Sequence, residues 1–265
     1  MKKEKSSATI FATAFIISLS ALLIVVMIIL SAIFLSDKNS SEEESVDLSM
    51  SYYRPEKEDL FRILLIQCTE RSAPPYAYTV LEINPHDVSV TMVKIPPETE
   101  VTIGFRTDTL NGQYDYAGCN NAKLGAENIL LTKIDRYIRI DQNGFANLID
   151  VLGGFEKTIS APYKSDTLTL SIGKNLLNGK AVLKLLKNTP NEVFSSEEEF
   201  FKEWFLQKFN SDIISKSDYL FTVLLNNVDT DITQFDYLSY KKPLKYLLES
   251  EKINFSLKKY KKTGA

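Results

Sequence analysis

LNGQYDYAGCNNAKLGAENILLTKIDRYIRIDQNGFANLIDV, residues 110–151, followed by Leu152, Gly153 and Gly154, is the stretch whose reading decides the fold. Its order is loop, helix, strand, helix and glycine turn, with the apolar period switching from helical to alternating and back. Gly118 and the Asn120-Asn121 pair predict a polar helix start, after which Ala122, Ala126, Ile129 and Leu130 recur on one face. Tyr137-Ile138-Arg139-Ile140 reads as a short strand. Phe145, Leu148, Ile149 and Leu152 form a second helical stripe, which the two glycines end. Such a unit belongs to the helix and sheet layers of an α/β domain.

Outward from this unit, the chain reads as more strands and helices. Phe61-Arg62-Ile63-Leu64-Leu65-Ile66 is almost continuously apolar, which suits a central strand covered on both faces. Tyr78–Ile83 and Val88–Ile95 read as a hairpin, reversed at Asn84-Pro85-His86-Asp87. Downstream, Leu168–Ile172 predicts a strand, and Leu177–Leu186, Glu197–Phe209, Tyr219–Leu225 and Leu244–Leu248 predict helices. Ile253–Leu257 predicts a last strand. Trp204 shares helical spacing with Phe200 and Phe205 and is read as a core residue.

The N-terminal fifth of the chain has a different character. No charged residue occurs between Lys5 and Asp37, and Ile10–Leu35 supplies 26 mostly apolar residues. At about 1.5 Å per residue these cross a hydrocarbon core of roughly 30 Å with some tilt. Lys2, Lys3 and Lys5 precede the run, and Asp37, Glu42, Glu43, Glu44 and Asp47 follow it, which predicts a cytoplasmic N-terminus. The expected organisation is therefore residues 1–9 cytoplasmic, 10–35 a single-pass transmembrane helix, 36–58 a polar extracytoplasmic linker, and 59–265 one folded domain outside the membrane. The fold class expected of that domain is α/β, a three-layer α/β/α arrangement with a central mixed sheet flanked by helices.

Composition excludes several functions. A net charge of -3 and a pI near 5.5 give no polycationic surface for nucleic acid. A single histidine, His86, and two cysteines far apart in sequence leave no ordinary zinc spacing. Cys68 ends the first strand and Cys119 opens the central helix. If those ends meet, a disulfide closing about fifty residues stabilises by roughly 4 kcal/mol on a chain-entropy model; otherwise the two are separate buried thiols.

The central stretch also carries a resemblance. The ordered set "LN, a Tyr-Ala-Gly loop, a helix ending in Leu-Leu, Ile-Asp-x-Tyr, Gly-Phe, Leu-Ile-Asp, Leu-Gly-Gly" resembles the heart of the LytR-CpsA-Psr family of bacterial envelope proteins. With its flanking strands the likeness covers roughly residues 61–209. It implies a membrane-anchored domain outside the cell, in a family that moves wall glycopolymers from polyprenyl diphosphate carriers onto peptidoglycan.

Cleaving such a diphosphate calls for a divalent metal held by carboxylates and arginines that fork onto phosphate oxygens. In the family the first strand ends in Gly-x-Asp-x-Arg, the second opens with Ser-Asp-Thr, and the third ends in Pro-Arg-Asp. Later helices carry Arg-x-Arg and Arg-x-x-Arg-Gln. Here the first pattern is Gln67-Cys68-Thr69-Glu70-Arg71, which keeps the arginine and replaces the aspartate with Thr69. The second is Ala77-Tyr78-Thr79, with Tyr78 in the aspartate position, and the third is Pro96-Pro97-Glu98-Thr99. Only Lys187 remains of the first arginine pair, and Glu197-Glu198-Glu199 falls where the second belongs. Carboxylates in place of guanidinium groups repel a diphosphate, on the order of a few kcal/mol in a partly desolvated site.

The resemblance therefore implies a catalytically degenerate relative that works in envelope glycopolymer assembly by binding a polyprenyl-phosphate lipid, a glycan or a partner. Two alternatives stay open: an active glycopolymer–peptidoglycan phosphotransferase, and a structural or regulatory partner of an active relative. Candidate catalytic residues are Arg71, Glu98 and Lys187; candidate substrate-binding residues are Arg71, Thr79, Glu98 and Arg106. No cofactor is expected, and magnesium enters only with the enzyme alternative. The partners implied are the membrane, a polyprenyl-linked envelope glycan, peptidoglycan or an active relative.

Overall fold

The computed structural model describes residues 53–188, 193–194, 196–209, 213 and 216–260. The expected transmembrane helix, and the linker up to residue 52, lie outside the described residues. Among those that are described, no helix is long and apolar enough to cross a membrane. Tyr53–Ala265 forms one compact unit. It takes in residues 53–58, expected as the end of the linker: the Tyr53 hydroxyl donates to Asp59 Oδ2 at 2.6 Å beside a short 3-10 turn, Lys57–Asp59.

The sheet is built on β1 (Phe61–Cys68), which pairs antiparallel with β2 (Pro75–Asn84). β3 (Ser89–Ile95) returns beside β2, so the expected hairpin forms. β6 (Arg136–Asp141) lies parallel to β1 on its other side. β11 (Asp229–Thr230) pairs antiparallel with β6 and β12 (Asn254–Lys259) pairs parallel with β3, completing the mixed order β11-β6-β1-β2-β3-β12. Alternation along the strands sorts side chains onto two faces. Leu64, Ile66, Tyr78, Val80 and Ile95 point to one core, whereas Phe61, Ile63, Ile83 and Val90 point to another. Burying an aliphatic side chain as fully as Leu64 or Ile66 stabilises by about 1.5–3 kcal/mol. Two-sided burial is why β1 carries no polar alternation.

Helices cover both faces. The first core is closed by α1 (Leu110–Leu130) through Leu110, Ala122 and Ala126; the second is closed by α6 (Gln234–Glu249) through Leu247. Residues 110–116, expected as a loop, are helical. Thr109 caps them by accepting from the Gly112 backbone at 3.0 Å, and Leu110 is driven into the core. The helix then breaks and restarts near the predicted point, with Ala117 at φ -146° and Gly118 at φ 71°. The latter value favours glycine. Asn121 bridges the break, its side-chain amide donating to the Gln113 carbonyl at 2.9 Å. Buried Gln113 in turn donates to the Val101 and Arg106 carbonyls, holding a hairpin, β4 (Glu100–Ile103) and β5 (Arg106–Thr109), against the helix.

A third core lies in a lobe built after α2 (Gln142–Val151), the second helix of the central stretch. The glycine turn ends it as expected, with Gly153 and Gly154 at φ 78° and 75°. The lobe comprises β7 (Phe155–Ile159), β8 (Tyr163–Ser165), β9 (Leu168–Leu170), β10 (Gly173–Leu177), α3 (Gly179–Asn188) and α4 (Glu197–Lys208). The expected strand at 168–172 is only β9, paired with β8 in a hairpin outside the main sheet. Phe200 is the hub of this core and Trp204 packs on it, as its spacing predicted. α5 (Ser217–Asn227) precedes β11, and its Phe221 stacks on Tyr237.

Candidate functional site

The carboxyl ends of the adjacent parallel strands β1 and β6 meet beneath the break in α1. Register places Tyr137 beside Leu64, Arg139 beside Ile66 and Asp141 beside Cys68, so Tyr137 and Arg139 point into the α1-covered core. Cys68 and Tyr78 are buried there, and Tyr114, Cys119 and Tyr137 pack against the same cluster. Tyr114 and Cys119 come from the two sides of the α1 break. The Tyr78 hydroxyl donates to Asn111 Oδ1 at 2.7 Å. Arg139 donates from one terminal nitrogen to the Arg71 carbonyl and, at 3.3 Å, to that of Ala73, pinning the β1–β2 loop. Its Nε is buried without a hydrogen-bond partner.

Burial pushes every thiol and phenol of the cluster toward its neutral form. It raises the Cys68 thiol against the opposing pull of Arg139, and lifts Cys119 to about 11 with Asp229 adding to the effect. Tyr78 and Tyr114 are raised for the same reason, and Tyr137 is pushed up to about 12. One guanidinium thus sits among protonated thiols and phenols. The thiols and phenols therefore supply neither a thiolate nucleophile nor a phenolate base at neutral pH, and the Asp141 and Asp229 carboxylates lie close enough to oppose their ionisation further. Cys68 and Cys119 are free thiols brought into one cluster. Maleimide labelling at pH 8 should therefore proceed at least about tenfold more slowly than for a solvent-exposed cysteine. Labelling at the exposed rate would refute this description of the cluster.

The other residues picked out by sequence fall in different places. Arg71 is exposed and joins the cluster only through its carbonyl. Thr79 is 1% exposed inside β2, beside Leu65 on the face opposite Tyr78, which removes it from contact with a substrate. Glu98 is exposed in the β3–β4 turn, where the Thr99 amide donates to the Pro96 carbonyl at 3.0 Å. Arg106 pairs with Asp108 and lies 4.5 Å over the Tyr116 ring. Lys187 is exposed on α3, in the separate lobe.

Two buried or half-buried charged residues escaped the sequence reading, one in the cluster and one in the lobe. One is Arg139. The other is Lys157 of β7, whose side chain is 9% exposed and whose ammonium donates to Glu199 at 3.0 Å and Glu203 at 2.8 Å. It also lies 4.7 Å over the Phe194 ring. Burial opposes its charge, but the two carboxylates more than compensate and its pKa is raised. Both residues occupy inward slots of alternating strands, Tyr137-Ile138-Arg139-Ile140 and Phe155-Glu156-Lys157-Thr158-Ile159, and that alternation was the available signal.

The residues do not fit the magnesium that the resemblance associates with diphosphate cleavage. Thr69 and Tyr78 stand where the resemblance calls for aspartates, and the Tyr78 hydroxyl is already committed to Asn111. Among the described residues, no three His, Cys, Asp or Glu side chains converge on a common point. No step through a metal follows from this arrangement.

A family model described as the LytR_cpsA_psr family matches residues 31–261. The chain is 26% identical over 208 residues to a polyisoprenyl-teichoic acid–peptidoglycan teichoic acid transferase, TagU, of Bacillus licheniformis, covering 74% of this chain. That alignment spans 66% of the relative, so the chain matches about two thirds of its length. The Bacillus subtilis protein of the same name is 26% identical over 227 residues, covering 79% of this chain and 72% of that one. In fold, the crystal structure of Bacillus subtilis TagV superposes with a TM-score of 0.56 at 20% identity, covering 76% of this chain and 85% of that one.

Proposed function

From the premise that the chain belongs to the LytR-CpsA-Psr family, we propose that it works in cell-wall glycopolymer assembly by holding a phosphorylated envelope lipid or glycan, without transferring it. Ile10–Leu35 anchors it as a single transmembrane helix, with the N-terminus cytoplasmic and the folded unit outside. The chemistry named for the TagU relatives, transfer from a polyisoprenyl carrier to peptidoglycan, is the alternative against which this reading is tested.

The observation that carries the proposal is the Lys157 clamp. Where the resemblance calls for arginines facing phosphate, α4 presents Glu199, and Lys157 binds both Glu199 and Glu203 from within, offsetting one of their two charges. A cradle for two phosphates and a metal has become an internal ion-pair network. What remains beneath α1 is Arg139, a cation in a largely apolar cluster edged by Asp141 and Asp229, which suits one phosphate monoester better than a metal-bound diphosphate. Apolar burial can retain a lipid tail without the lost charges, since it scales with area at about 25 cal/mol per Å².

Purified full-length protein in detergent should bind a polyprenyl phosphate in a competition assay and release nothing from a polyprenyl diphosphate with magnesium or manganese. Arg139→Met should weaken that binding about tenfold, the loss of one charge-assisted contact. Turnover comparable to an active relative assayed in parallel would establish the transferase reading instead. Absence of any polyprenyl phosphate binding would remove the lipid from the proposal.

A further inference from the structure

A second concave site lies in the lobe, away from the β1–β6 cluster. A cleft of about 240 Å³ opens between the β8–β9 hairpin and α3, lined by Tyr163, Ser165, Thr167, Leu168, Lys184 and Lys187. Three hydroxyls and two ammonium groups therefore share one small volume. The Lys184 ammonium leans onto the hairpin, donating to the Thr167 carbonyl at 3.3 Å. Lys180, one turn earlier on α3, extends the row, giving exposed lysines at i, i+4 and i+7 over about 10 Å of helix. None of the three has an acidic partner among the described residues, although the exposed Asp166 lies in the hairpin turn. The backing is rigid. Val182 and Leu185 of α3 are fully buried, and Leu170 of β9 is 3% exposed in the same core.

Three unpaired ammonium groups in line, with hydroxyls at one end, match an anion that repeats along a chain. A single free phosphate needs only the cleft, whereas the row continues one turn beyond it. We propose that the β8–β9/α3 cleft and the Lys180–Lys184–Lys187 row bind successive phosphates of a phosphodiester-linked polyol polymer. One phosphate sits in the cleft between Lys184 and Lys187, within reach of the Tyr163, Ser165 and Thr167 hydroxyls, and a neighbouring phosphate meets Lys180. The assignment deepens the wall-polymer reading and rests on it for the polymer class, while placing the polymer apart from Arg139 and any lipid it holds.

The test uses full-length protein in neutral phosphatidylcholine nanodiscs, with poly(glycerol phosphate) as probe and neutral dextran as control. The wild type should bind the polymer with an affinity that falls as salt rises, and should ignore dextran. Lys180→Glu with Lys184→Glu should weaken polymer binding at least about tenfold, the equivalent of about 1.4 kcal/mol, and leave polyprenyl phosphate binding unchanged. Both lysines are exposed, so an unaltered melting curve will confirm folding. Conversely, Lys184→Arg should keep most of the affinity. Polymer binding equal to wild type in the double variant overturns the assignment, as does lysine-dependent capture of dextran. Tighter lysine-dependent binding to phosphatidylglycerol vesicles than to the polymer also overturns it, giving the row to the membrane surface. If polymer binding persists where polyprenyl phosphate binding is absent, this site stands and the lipid reading fails alone.

Discussion

Phe200→Ala is expected to lower the stability of the folded unit by about 4 kcal/mol, near the middle of the range for emptying a buried phenylalanine site. Phe200 is fully buried, and its ring meets Phe155, Phe201 and Phe194 at centroid distances of 5.2, 5.2 and 5.4 Å. Trp204 stacks on it at 6.3 Å and Phe145 of α2 approaches edge-on at 6.5 Å. Removing the ring opens a cavity whose walls are other aromatic rings, which cannot collapse without leaving their own contacts. Trp204 is the sole tryptophan and belongs to the same core, so its fluorescence reports urea unfolding directly. The midpoint should fall with an unchanged slope. Tyr219→Ala, at a residue 63% exposed, should stay within about 0.5 kcal/mol of wild type. A Phe200→Ala loss below about 1 kcal/mol would show that the lobe is not organised around this ring. Because α3 rests on the same core, the variant should also weaken polymer binding at the lysine row.

Elements defined by their own periodicity were legible in the sequence. The stripe Phe145, Leu148, Ile149 became α2, and Phe200 with Trp204 became the inward side of α4, because a helix closes its hydrogen bonds locally. The apolar run of β1 announced a strand buried on two faces. The short hairpins were not legible. β5 is Arg-Thr-Asp-Thr, with no apolar alternation, and its place is set by buried Gln113 reaching back from α1 to the Arg106 carbonyl. Residues 110–116 were hidden for a related reason. Asn111, Gly112 and Asp115 are weak helix formers, and it is the Thr109 cap and the buried Leu110 that hold them helical.

The site was half legible. The expectation that Thr69, Tyr78, Pro97 and Glu199 stand where the resemblance calls for carboxylates and arginines needs only the sequence. What replaces them could not be read there, since Lys157 is 42 residues from Glu199 and 46 from Glu203, and only the fold joins them. Cys68, Tyr114, Cys119 and Arg139 likewise converge through strand register and the break in α1, neither of which a linear motif encodes. Thr79 illustrates the converse. A residue next to a motif position can be sealed in the opposite face of the sheet, because successive strand residues point apart.

Arg136→Met should destabilise the unit by about 2 kcal/mol at neutral pH, and by progressively less as the pH falls from about 5 to 2. Arg136 of β6 grips Asp236 of α6 with two nitrogens, at 2.8 and 2.6 Å. The same carboxylate completes a capping box with Thr233, accepting from its amide at 2.8 Å and its hydroxyl at 2.7 Å. Burial by itself would raise the Asp236 pKa, but the bonds from Arg136 and Thr233 reverse that and hold it at about 2. A carboxylate whose folded pKa lies below its unfolded value near 3.9 contributes stability above that value. The contribution is lost as the group protonates on the way down through about 2. The full shift corresponds to roughly 2.5 kcal/mol, of which Met at 136 leaves the Thr233 share in place. The Arg136 side chain is 35% exposed, which argues against the larger loss seen when a fully buried pair is broken. Urea unfolding of both proteins across pH 2 to 7 should therefore give two curves that converge toward acid. A gap that stays constant with pH would mean that Arg136 acts through packing of its stem and not through the charge on Asp236. That outcome would also separate α6, which closes the second core through Leu247, from electrostatic control by the sheet.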